Sequence, residues 1–245
     1  MAARLVRGIH GGARIAVMER IPRMRQLALG GMVGPWLWSA IVVLLTPLEY
    51  GTLAGFGWTP GGSHGVNYPS SLALGRFGWA QILNFGLFGV LLIGLAVGLY
   101  RAVRPRSIAR VGPVLLAIAG VGLLLSMFPT DHGPPNAPST WHGDIHAIAF
   151  LVVFIPLLLS MFFFAVSFRH DPRWTGLVWV GPISGAAALI AFIGLGALLP
   201  ASLDQVSFYA ALLALFVGIT VIAYRLRALY PRDNVTPGSE NLLPR

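Results

Sequence analysis

His142 and His146 are four residues apart, the spacing that puts two imidazoles on one helix face and lets them meet a single ion, as helical His-x-x-x-His pairs do in zinc proteins. Asp131 precedes them across a short link and offers a carboxylate as third ligand, leaving an open position for water. On this reading Asp131, His142 and His146 hold zinc or another divalent metal, and Glu49 or Asp144 serves as general base for a metal-bound water. His64, His132 and Glu49 are reserve ligands. The plainer reading makes Asp144 a first-turn acid favoured by its helix dipole. It makes Asp204 an N-cap for the last span, and Thr140 or Ser139 the N-cap of the helix that carries the histidine pair.

The elements that would position these groups are membrane spans. The segment from Phe128 to His146 holds three of the six histidines and two of the eight acidic residues, and it lies between two long apolar runs. The chain is 56% hydrophobic and 10% charged, with mean hydropathy +0.75, whereas soluble domains carry about a quarter charged residues. Six stretches, residues 27–48, 79–100, 111–128, 145–168, 177–199 and 206–224, are each long enough to cross about 30 Å of hydrocarbon as a helix. The expected fold class is therefore all-α: a polytopic membrane protein, a bundle of six transmembrane helices within one domain, residues 27–228. Residues 1–26 form a basic cytoplasmic segment with no assigned fold, with Met18 and Met24 as alternative starts, and residues 229–245 form a polar tail expected to be disordered. The first apolar run is too long for a signal-peptide core and is taken as an uncleaved span. Pro35, Pro156 and Pro182 predict kinks, and the pairs Gly94 with Gly98 and Gly181 with Gly185 predict close helix packing.

Orientation follows from arginine. Sixteen of the seventeen basic residues flank one side of these spans and only Arg76 flanks the other, which predicts both termini in the cytoplasm and the Phe128 to His146 segment outside. A multi-pass protein of the cell (plasma) membrane is expected. Trp36, Trp38, Trp174 and Trp179 are placed at the inner interface, and Trp79 and Trp141 at the outer one. The net charge of +9 is explained by this asymmetry, so nucleic acid is not an expected partner. The expected partners are the lipid bilayer and either a lipid substrate or another membrane protein. The chain has no cysteine and no lysine, which excludes thiolate and Schiff-base chemistry.

Helix dipoles sharpen the picture. Glu49 and Asp131 follow the carboxyl ends of spans one and three, where a negative charge is disfavoured, and Arg76 precedes an amino end, where a positive one is. The expectation is that Arg76 pairs with Glu49, Asp131 or both, or that a metal neutralises the carboxylates. His142 and His146, at an amino end, are expected to be neutral. Gln81 and Asn84 share one face of span two, with Ser126 near the end of span three, and are read as a polar network between helices.

The run Tyr68-Pro-Ser-Ser71-Leu-Ala-Leu-Gly75-Arg-Phe-Gly78-Trp79 leading to Asn84-Phe85, then Gly98-Leu99, then Phe128-Pro-Thr-Asp131 and His142-Gly143-x-x-His146, resembles the prokaryotic integral-membrane family called domain of unknown function 998. The resemblance covers about residues 30–228 and implies a six-helix bundle, but no established reaction. In residue type alone, the cluster is also similar to the zinc sites of alkaline-ceramidase-like membrane hydrolases, which have seven helices. Two functions fit the chain. The favoured one is a non-catalytic membrane sensor or accessory protein; the other is a metal-dependent, zinc-like membrane hydrolase acting on a lipid or lipid-linked substrate. No inverted repeat supports a transporter.

Overall fold

A chain this apolar must satisfy its own backbone inside a bilayer, and the helix is the local way to do so. The computed structural model is all-helical, with no strand among the described residues. Six of its helices are long and apolar enough to cross a membrane. The structure describes residues 2–55, 68–103, 107–131, 138–199 and 204–231, with backbone alone for 2–21, Ser107 and Asp204. The expected tail beyond residue 231, His64 and His132 lie outside the described residues, as does the side chain of Asp204.

The first span is the end of a long helix, α1 (Ala2–Leu48), followed after Glu49 by a short α2 (Tyr50–Gly55). A 3₁₀ turn over Pro69–Leu74 leads to α3 (Gly78–Ala102). Then come α4 (Val111–Leu125) and α5 (Trp141–Phe168). The fifth span is composite: α6 (Val180–Leu189), a π-helical stretch over Ile190–Leu195, and α7 (Gly196–Leu198). The last span is α8 (Asp204–Ala228).

Each span packs on the next, and α8 closes the ring by packing on α1. Glycine stands at the junctions, where it allows backbones to approach. Gly89 and Gly120 bring α3 and α4 together, Gly122 faces Val153 across α4 and α5, Gly185 faces Phe162, and Gly31 lies among Leu95 and Ala223. Gly98 likewise sits against Leu226 and Leu27. The outside of the ring is a sleeve of exposed aliphatic side chains such as Val43, Leu44, Ile183 and Ile190, the surface that contacts lipid.

Three expectations are corrected. Pro182 falls in the first turn of α6, where a missing N–H costs no helical bond, and the irregularity of the fifth span is the π stretch further on. Trp38 and Trp174 are buried, at 5% and 0% exposure, rather than belting the interface. Trp36, partly exposed, donates from Nε1 to the Thr220 hydroxyl at 3.0 Å and so ties α1 to α8.

The arginine-rich end is knotted by backbone contacts. Arg173 grips Asp171 at 2.6 Å and donates to the carbonyl of Ala102 at 2.8 Å, in the last turn of α3. Arg225 donates to the Arg173 carbonyl at 2.7 Å, and Arg25 to that of Tyr230 at 2.9 Å. Cations at helix carboxyl ends are favourably placed against the dipole. Trp174 stacks flat on Phe168 at 4.5 Å, filling the space beneath this knot.

Candidate functional site

The ends of α1, α4 and α7 and the beginnings of α3, α5 and α8 meet at the arginine-poor end of the ring. Two carboxylates there cross from the end of one span to the beginning of the next. Asp131 accepts from the backbone N–H of Thr140 at 2.7 Å and from its hydroxyl at 2.5 Å. Thr140 is the N-cap of α5, and its oxygen accepts in turn from Gly143 N–H. These hydrogen bonds from Thr140, with a smaller contribution from His142, hold the Asp131 carboxyl below the usual aspartate range. Gly143 is required sterically, since a Cβ there would occupy the space of the Asp131 carboxylate.

Glu49 repeats the device. It is 2% exposed, accepts from the N–H of Phe77, the N-cap residue of α3, and accepts the Thr52 hydroxyl at 2.9 Å. Gly75 makes the room, because a Cβ there would overlap the Glu49 carboxylate. Both acids thus stand at carboxyl ends along the chain yet face amino ends in space, where negative charge is favoured. The expected pairing with Arg76 is corrected accordingly. Among the described residues no carboxylate lies within ion-pair distance of Arg76, and its exposed guanidinium sits 5.5 Å from the Phe77 ring centroid.

His142 and His146 share a face of α5, and what that face meets is the end of α4. His146 Nδ1 lies 2.7 Å from the carbonyl oxygen of Phe128. His142 Nδ1 lies 3.0 Å from the carbonyl of Pro129 and 3.0 Å from the Thr140 hydroxyl oxygen. A carbonyl can only accept, so in both rings Nδ1 carries the proton and donates. Two carbonyls in the segment that follows α4 are thereby satisfied. The Asp131 to His142 separation is 3.8 Å. Among the described residues, no three His, Asp or Glu side chains come together in a way that could hold a metal. Asp144 sits exposed in the first turn of α5, apart from the two histidines.

Asn84 donates to the Trp38 carbonyl at 3.1 Å and to the Gln81 side-chain oxygen at 3.2 Å, pinning α3 to α1. Ser126 donates to the Gly122 carbonyl within its own helix. Sequence reasoning missed Asp171 with Arg173, whose two-residue spacing resembles any loop pair, and also the roles of Gly75 and Gly143. The signal for the glycines was present: each lies next to the start of the span that follows a misplaced acid.

Inside the ring, below His146, lies a cavity of about 310 Å³. Trp38, Phe85, Phe88 and Phe216 form much of its wall, with Ser126 and His146 among the lining residues.

No curated protein and no solved structure matches the chain. The family model described as protein of unknown function (DUF998) matches residues 40–229, from near the end of α1 to just past the end of α8, and the chain belongs to that family.

Proposed function

We propose that the protein is a non-catalytic multi-pass membrane protein, a sensor or accessory subunit, whose polar cluster is a pair of interhelical latches. One observation carries this reading: of the five groups that hydrolysis would use, all but Asp144 are engaged with backbone. Asp131 and Glu49 accept from N–H groups at the beginnings of α5 and α3, and both histidines donate to the end of α4. The arginine distribution supports a plasma-membrane protein with both termini cytoplasmic and the latches outside. Reporter fusions at the C-terminus and in the segment between α4 and α5 test that orientation.

A second reading rests on a different detail. With Nδ1 bonded to a carbonyl, each imidazole keeps Nε2 open, which is how metal-ligating histidines are commonly oriented. Zinc or another divalent metal on His142 and His146, with His132 or Asp131 added, would restore the lipid hydrolase. Metal analysis of the purified protein separates the two readings. Substoichiometric metal, unaffected by His146→Ala, supports the latch. Stoichiometric metal that is lost with His146→Ala overturns it in favour of the hydrolase.

A further inference from the structure

The link from Arg101 to Arg110 carries four arginines and no acidic residue. Its two ends meet across the turn between α3 and α4. The guanidinium of Arg110 lies 4.6 Å from the centroid of the Tyr100 ring, and Arg101 is the next residue of α3. Tyr100 and Arg101 are exposed, and Arg110 is half-buried. The ring orders the guanidinium, as a cation–π contact does.

Arg110 is a cation without a counter-ion among the described residues. Arg25, Arg173 and Arg225 each donate to a backbone carbonyl, whereas neither Arg101 nor Arg110 has an acceptor or an ion-pair partner among the described residues. Asp171, the one acid at this end whose side chain is described, is gripped by Arg173. Nε of Arg110 is covered, which leaves the two amino groups as the accessible edge. The turn over Ser107–Arg110 runs straight into α4, so Arg110 stands in the first turn of a span, where the dipole disfavours a cation and favours an anion. Glu49 and Asp131 are compensated by backbone at their helix ends, and Arg110 is not.

An anion that supplies the missing acceptor sits where a span enters the bilayer, at the depth of the lipid phosphates. Arginine binds phosphate through paired N–H groups, and basic sites between spans suit anionic head groups. We propose that the turn carrying Tyr100, Arg101 and Arg110 binds the phosphate of an anionic phospholipid in the leaflet at the arginine-rich end. The site is independent of the orientation of the chain and of how the latches are read, so its failure would leave the metal analysis and the reporter fusions untouched.

The test uses full-length protein in phosphatidylcholine nanodiscs, with thermal unfolding followed as phosphatidylglycerol replaces part of the lipid. Phosphatidylglycerol is expected to raise the midpoint saturably. Phosphatidylethanolamine, which carries a phosphate without net charge, and inorganic phosphate added to phosphatidylcholine discs are expected not to. Arg110→Gln should shift the half-saturating fraction of phosphatidylglycerol about 5-fold higher, the loss of one cation near the lipid surface. Arg101→Gln, an exposed change that leaves the fold intact, should shift it in the same direction. Arg227→Gln removes one charge from the same end of the bundle, but on α8, which packs on α1 and α6, and should shift it less than about 2-fold. The absence of a saturable response to phosphatidylglycerol, or equal stabilisation by phosphatidylethanolamine or inorganic phosphate, would overturn the site. So would an unchanged half-saturation in Arg110→Gln or Arg101→Gln, or a shift in Arg227→Gln as large as that in Arg110→Gln.

Discussion

The carboxylate of Asp131 occupies the volume that a side chain at Gly143 would fill. Gly143→Ala should therefore push the carboxylate off Thr140 and loosen the α4 to α5 junction, lowering stability. Unfolding in mild detergent measures it. In an Asp131→Ala background the same glycine substitution should cost much less, and equal costs in both backgrounds would show that the two positions are uncoupled.

Asp131 also sets a pH dependence. Its folded pKa lies below the ordinary value of 3.8 because Thr140 bonds the ionised form. The unfolded state thus takes up its proton first as pH falls, so the stabilisation is complete above the ordinary value and vanishes below the lowered one. Thermal midpoints measured from pH 6 downward should fall more steeply in the wild type than in Asp131→Asn. Parallel curves would contradict the assignment.

Glu49→Ala leaves the Phe77 N–H and the Thr52 hydroxyl without their acceptor in a buried place, and should destabilise by about 2–3 kcal/mol. Gly75→Ala should act in the same direction, since its Cβ displaces the same carboxylate. Chemical unfolding of the two variants, singly and together, reads the coupling. A double variant whose loss equals the sum of the singles would argue against a shared latch.

Arg76→Ala should change stability by less than about 1 kcal/mol, because the side chain is exposed and, among the described residues, its guanidinium approaches the Phe77 ring rather than a carboxylate. A loss as large as that of Glu49→Ala would restore the ion pair expected from the sequence.

Hydropathy made the six helices and the fold class legible, because crossing hydrocarbon demands length and apolarity that composition cannot hide. The dipole argument was sound in asking for compensation at Glu49 and Asp131. It could not name the compensator, since a backbone N–H leaves no mark in the sequence and Arg76 was the visible cation. The shared face of His142 and His146 was likewise readable from spacing, while the carbonyls of Phe128 and Pro129 that meet it depend on how α4 ends. Trp38 and Trp174 were misplaced because an aromatic residue near a span end reads as interfacial until the packing is known. The π stretch in the fifth span has no such sequence mark.

Each latch joins two spans that are consecutive in the chain, α1 to α3 and α4 to α5. Each can therefore close as soon as its second helix has emerged, before α8 exists to complete the ring. Glu49 and Asp131 thus each find their hydrogen-bond donors within one pair of consecutive spans, and neither carboxylate depends on the contact of α8 with α1 that completes the ring.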